Sequence, residues 1–192
     1  MSKILTAEQV LLAYSDRGVL PIDPVTIARR AGVEVEPENF KDGVCGWYIP
    51  ASGTSRPVIQ YHWSGHENRQ RFTIAHELGH HFLQHGERPR DTSRQLQESG
   101  IFNADPVEVA ANYFAADLIM PSFYVKTLYR MGMRSVDELA KKFRVSVQAM
   151  DIRVNKLGLS LENPGILSQE EKRVMARFFV REHEQTIHDL AQ

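Results

Sequence analysis

Two histidines with a glutamate between them stand in the stretch RFTIAHELGHHFLQHG, residues 71–86, as His76, Glu77 and His80. On a helix, positions i and i+4 lie about 40° apart around the axis and one turn apart along it. His76 and His80 therefore project from one face, where two imidazole nitrogens can hold one ion at about 2.0–2.1 Å. Glu77 lies about 100° around from His76. A carboxylate there misses the ion and still reaches a water beside it. The chemistry this permits is hydrolysis: the ion makes the water acidic and the carboxylate takes its proton, so Glu77 is the candidate base. His81 and His85 are a second i, i+4 pair, far around the helix from His76 and with no glutamate between them. They are expected to be ordinary partly buried or surface histidines.

Catalytic zinc usually takes three protein ligands and keeps one position open. The acids that follow the motif are Glu87, Asp91, Glu98, Asp105, Glu108 and Asp117. The first three fall in a polar stretch that would position a ligand poorly. Glu108 opens the segment DPVEVAANYFAADLIMP, and Asn112 lies one turn later on the same face. A ligand glutamate with an amide four residues on would supply one group for the ion and one to orient a histidine. A simpler account of Glu108 also exists. With Asp105 as N-cap, Glu108 occupies N3, where an acid is favoured by capping and the helix dipole alone. Asn112, likewise, could be no more than a surface amide.

These residues need elements to hold them. Residues 6–17 read as a helix with Thr6 as N-cap, and PIDPVTIARRAG as a second, started by Asp23-Pro24 and stopped by Gly32. VEVEP, GVCGWYIP and RPVIQYH read as strands. The motif helix follows, with Ser64 and Glu67 as a capping box and Gly86 as its stop. On it Phe72, Ala75, Leu78, Gly79, Phe82 and Leu83 would face the core, which leaves the histidines on the polar edge. Gly79 costs about 1 kcal/mol of helix stability relative to alanine, a cost that close approach of another backbone would explain. Residues 86–104 lack periodicity and read as a loop. Helices are expected from Asp105-Pro106 to Met120, then over 122–131, 135–143, 146–157 and 168–190. A few strands among helices, followed by helices alone, make the fold class α+β.

Composition narrows the setting. A 192-residue chain with 42% hydrophobic and 24% charged residues is built to fold. A net charge of −1 gives no global field toward nucleic acid or an anionic membrane. The single cysteine, Cys45, allows neither an internal disulfide nor a thiolate zinc site, which suits a reducing cytoplasm. No long apolar region follows Lys3, so no secretory signal is expected. The longest apolar run, VAANYFAADLIMP, is broken by Asp117 and too short to span a bilayer.

Two segments, RQRFTIAHELGHHFL at 69–83 and EVAANYFAADLIMP at 108–121, resemble the ImmA/IrrE family of metallo-endopeptidases. The likeness extends more weakly to GVLPIDPVTIARRAGVEV, to the GWY strand and to SVDELAKKFRVSVQAMDIRVNKLGL. It implies a zincin-like core with a small mixed or antiparallel sheet and active-site helices over residues 1–125, followed by a helical region over 126–192. It implies His76, His80 and Glu108 as zinc ligands, Glu77 as base and Asn112 as a supporting group. One departure is Ala110, where many members carry a second glutamate. Imidazole and carboxylate ligands suit Mn2+ or Fe2+ as well as Zn2+. The function so implied is a cytosolic zinc endopeptidase acting on a regulatory protein. The usual target in that family is a co-encoded helix-turn-helix repressor or antitoxin-like partner. Tyr48, Tyr61, His62, Tyr113 and Tyr124 are the candidate donors to a developing oxyanion. RPVIQYH is expected to be the sheet edge on which substrate adds as a strand.

The competing class is a DNA-binding or protein-binding regulator with a structural or vestigial metal site. Residues 135–157 read as two helices around the turn RVS, a helix-turn-helix-like unit. Between Arg134 and Lys156 there are six basic and three acidic residues, and Gln148, Asp151, Arg153 and Asn155 could face a groove. The plainer expectation, favoured here, is a helical pair packed on the core with its basic residues solvated. His183 and His188, five apart in the last helix, do not share a face and are not read as ligands.

Overall fold

A computed structural model of the chain describes residues 4–41, 43–90 and 105–159. The candidate ligands Asp91 and Glu98, with the rest of 91–104, and the 168–190 helix lie outside the described residues. The described residues form two compact units: one takes those up to Ser15 together with those of Asp23–Ile119, the other Asp16–Ile22 and those from Met120 on. The described elements are α+β, and no helix among them is long and apolar enough to cross a membrane.

The first unit begins with α1 (Ala7–Tyr14), capped by Thr6, whose side chain and that of Gln9 bond each other's backbone N–H groups. In α2 (Pro24–Arg30), the Asp23 carboxylate accepts from the N–H groups of Val25 and Thr26, and Pro24 supplies the preset first turn. Strands β1 (Glu34–Glu38), β2 (Gly46–Ile49) and β3 (Val58–His62) lead to α3 (Glu67–Leu83), then β4 (Arg88–Arg90) and α4 (Pro106–Ile119). The sheet order is β1-β3-β2-β4, with β1 parallel to β3 and the other neighbours antiparallel.

Three details differ from the local sequence signals. The N-cap of α3 is His66, whose Nδ1 accepts from the Asn68 N–H; Ser64 instead bonds His62. The helix stops at Gln84, which takes the left-handed conformation at φ 59°, two residues before Gly86. Part of the presumed loop is β4, an edge strand. An edge position tolerates Pro89, which has no N–H to give.

The core of this unit lies between α3, the sheet and α4. Ile27, Ile59, Leu78, Ala111 and Leu118 are fully buried there. Phe82 stacks on Tyr14 at 5.8 Å and on Phe114 at 5.9 Å between ring centres. Helix α3 is covered nearly all round: Arg71, Thr73, His76, Glu77 and His80 are buried with its apolar residues. The expected polar edge is thus an interior face, sealed by α4 and the sheet. Gly79 makes that possible. A Cβ there would meet Ala111 Cα at 3.1 Å, Ala111 O at 3.2 Å and Phe114 Cβ at 3.3 Å, so α3 and α4 touch backbone to backbone.

The second unit holds α5 (Ser122–Arg130), α6 (Val136–Phe143) and α7 (Val147–Lys156). Ser135 caps α6 and Ser146 caps α7, and Arg144 turns the chain between them at φ 52°. Leu139, Phe143, Val145, Met150 and Val154 form its core. Gly18 N–H donates to Tyr124 Oη at 2.9 Å. Of the groove candidates on α7, Gln148, Asp151 and Asn155 are exposed, but Arg153 is buried and its Nε–H donates to the Met120 carbonyl at 2.9 Å. Arg153 is therefore unavailable to a DNA groove.

The backbone contact at Gly79 gives a stability prediction. Gly79→Val places two branches where none fit, and overpacking of this kind costs about 1–3 kcal/mol. Urea unfolding should show a lowered midpoint of that order; an unchanged midpoint would mean the two helices do not touch there.

Candidate metal centre

The His76 and His80 rings leave α3 toward the first turn of α4. Asp105 caps α4 by accepting from the Val107 N–H at 2.9 Å, which fixes where that turn begins. Glu108 then stands over the histidines. Its Oε2 lies 3.1 Å from His76 Nε2, its Oε1 lies 3.4 Å from His80 Nε2, and the two Nε2 atoms are 3.0 Å apart. Ligands about 2.0–2.1 Å from a tetrahedral ion stand roughly 3.3–3.4 Å from one another. The observed spacing matches three corners of that figure, and the three side chains form a group that could hold one metal ion.

The donor chemistry agrees. His76 Nδ1–H donates to Asn112 Oδ1 at 2.9 Å, which leaves the Nε2 lone pair facing Glu108 and His80. Burial raises the Glu108 pKa, but hydrogen bonds from His76 and His80 and their nearby charge more than reverse this, so the carboxyl is held well below the usual carboxylate range. That lowering belongs to histidines protonated toward Glu108; an ion bound there would displace those protons and meet two lone pairs and an ionised oxygen. Glu77 is fully buried on the side of α3 toward β2.

The structure brings His76, His80, Glu108 and Asn112 together and leaves the other described candidates apart. Glu87 and Asp117 are exposed, and Asp105 is used as a cap. Among the proposed oxyanion donors, three have other engagements. Tyr48 Oη bonds His81 Nδ1 at 3.0 Å, with burial raising the Tyr48 pKa and lowering that of His81. His62 bonds Ser64, and Tyr124 accepts from Gly18. Tyr61 is half-buried on β3 and Tyr113 is exposed on α4.

Two residues were given no part in the site by the sequence reading. A Cβ on Gly46 would lie 2.5 Å from Thr73 Cγ2 and 2.7 Å from Glu77 Oε1, so the strand passes directly against the Glu77 carboxylate. A glycine inside a strand pattern was the available signal. The second is His85, whose Nδ1 lies 3.1 Å from His80 Nδ1. Its i, i+4 spacing pairs it with His81, but His81 bonds Tyr48 and His85 lies against His80. RPVIQYH, expected at the edge of the sheet, forms the inner strand β3, flanked by β1 and β2. The parallel partner β1 closes the side that local pattern left open.

A family model described as the IrrE N-terminal-like domain, Peptidase M78, matches residues 28–155. The span runs from α2 through α7 and includes every residue of the cluster. A curated relative, "Uncharacterized immunity region protein 2" of Bacillus phage phi105, is 29% identical over 118 residues, 62% of this chain and 70% of that protein.

Glu108→Ala should weaken zinc binding, measured by chelator competition, by more than the roughly 10–100-fold that loss of a supporting hydrogen bond costs. Asp105→Ala serves as the control. It removes a cap, costing about 1 kcal/mol of stability, and should leave zinc affinity nearly unchanged. Equal losses in the two variants would remove Glu108 from the ligand set.

Proposed function

The chain belongs to the IrrE N-terminal-like peptidase family, and from that premise we propose that it is a cytosolic zinc endopeptidase that cleaves a regulatory protein. The observation that carries this reading is the convergence of two imidazoles and one carboxylate beside a buried glutamate. His76, His80 and Glu108 would hold the ion. A divalent ion there supplies Lewis acidity toward a peptide carbonyl and makes a nearby water acidic.

The chain's own residues do the rest. Glu77 takes the proton of the attacking water and later delivers it to the leaving amine. Its setting against Gly46 keeps the carboxylate from swinging toward the sheet. Asn112 holds His76 in the tautomer with an outward lone pair. An extended substrate can add to an open edge of the sheet. Of the two edges, β1 and β4, the second pairs with β2 in a register that sets Arg90 opposite Gly46, the glycine beside Glu77. Residues 1–125 would form the peptidase core and 126–192 a helical region.

A relative's name supports the substrate class. That phage protein is called an immunity region protein, which supports a repressor-like target, and a co-encoded helix-turn-helix regulator is the substrate we assign. The rival reading, a DNA-binding regulator, loses one of its groove residues because Arg153 is buried.

Zinc-loaded protein incubated with its co-encoded regulator should release a discrete fragment. Glu77→Gln should abolish this, lowering the rate at least about 10²–10⁴-fold as expected for loss of a general base, with zinc content and folding nearly unchanged. Cleavage retained by Glu77→Gln would strip that residue of its role. Gly46→Ala, which drives a methyl into the Glu77 carboxylate, should slow cleavage while preserving zinc affinity. Unaltered cleavage would show that the strand does not set the carboxylate.

A further inference from the structure

We propose that His85 is a positioning residue of the metal centre: it accepts from His80 and fixes that ring as Asn112 fixes the ring of His76. This rests on the reading of His76, His80 and Glu108 as ligands of one ion.

Sequence spacing alone argues against such a role. Five residues along a continuous helix carry a side chain about 140° around the axis, away from His80. Helix α3 does not continue. Gln84 adopts the left-handed conformation at φ 59°, which is rare for a residue with a Cβ. That reversal brings the His85 N–H back to donate to the His80 carbonyl at 3.0 Å. It also sets the His85 ring edge-on to His80, with ring centres 5.2 Å apart and planes at 70°. The two Nδ1 atoms meet at 3.1 Å.

The protons then follow from the chemistry. His80 Nε2 faces His76 and Glu108 and must present a lone pair to an ion. A neutral imidazole has one N–H, so that of His80 is on Nδ1 and points at His85. His85 Nδ1 must accept it and carry its own proton on Nε2. Each ligand histidine then has its remote nitrogen held, one by an amide from α4 and one by an imidazole from the left-handed turn. A ligand ring free to rotate would bind more weakly, because such supporting bonds are worth roughly 10–100-fold in metal affinity.

The test uses the full chain and zinc as the probe. Dissociation constants come from chelator competition for the parent, His85→Phe and His85→Asn, with urea unfolding of each metal-free protein. Phenylalanine keeps a ring and removes the acceptor. Asparagine places an amide oxygen where Nδ1 stood. The expected result is a 10–100-fold weaker constant for His85→Phe, near-parent affinity for His85→Asn, and unfolding midpoints that do not track the order of affinities. Long-range proton–nitrogen NMR correlation on the zinc-loaded parent, which needs no variant, should show His80 protonated at Nδ1 and His85 at Nε2. Parent-like zinc binding by His85→Phe overturns the proposal, as does equal weakness of a folded His85→Asn, or a proton on His85 Nδ1. Should His85→Phe not fold, the NMR assignment decides. A parent that binds no zinc brings down the metal-centre reading itself, whereas a zinc-binding parent matched by His85→Phe removes only His85.

Discussion

The contact between α3 and α4 at Gly79 and Ala111 is the constraint from which the site follows. With no side chain at Gly79, the second helix comes to backbone distance. At that separation the first turn of α4 overlies His76 and His80, and Glu108 reaches both Nε2 atoms at 3.1 and 3.4 Å. The same approach buries the histidines, while β2 covers Glu77. Buried polar groups without partners cost several kcal/mol, so a helix carrying three of them needs a designed setting. For the two histidines the partners come from α4 and from the turn that ends α3. The helix propensity sacrificed at Gly79, about 1 kcal/mol, is small beside the cost of leaving that cluster unsupported.

The surroundings divide the labour by element. Helix α4 contributes the carboxylate and, one turn later, the amide on His76. The turn after α3 contributes the imidazole on His80. Strand β2 contributes nothing with a side chain at Gly46; it contributes closeness, limiting where the Glu77 carboxylate can go. Two residues along, Tyr48 turns the same buried face of β2 to His81. The motif helix is thus gripped from three directions, and its chemical groups have little rotational freedom.

How far the sequence revealed this depends on the range of the interactions involved. The i, i+4 geometry of His76 and His80 and the spacing of Glu108 and Asn112 are helical regularities, and the structure brings those four side chains together. The caps Thr6, Asp23, Ser135 and Ser146 sit where local hydrogen bonding puts them. Other features need information that no local pattern holds. Ser64 and Glu67 satisfy the letter of a capping box, yet His66 takes the cap. A helix can stop on a non-glycine, as at Gln84, where the Gln84 and His85 N–H groups bond the carbonyls of His81 and His80. RPVIQYH has the pattern of a strand, but only its parallel pairing with β1 makes it an inner one. The spacing of His85 from His81 misled, because its position depends on that left-handed turn.

The central claim is that one ion is held by imidazole nitrogens from α3 and carboxylate oxygen from α4. X-ray absorption at the zinc edge, on protein carrying one equivalent of metal, tests it most directly. The account predicts a shell of nitrogen and oxygen alone at about 2.0–2.1 Å, with two imidazoles in the parent and one after His80→Ala. A sulfur shell at about 2.3 Å, which Cys45 would supply, or an imidazole count unmoved by His80→Ala would contradict it.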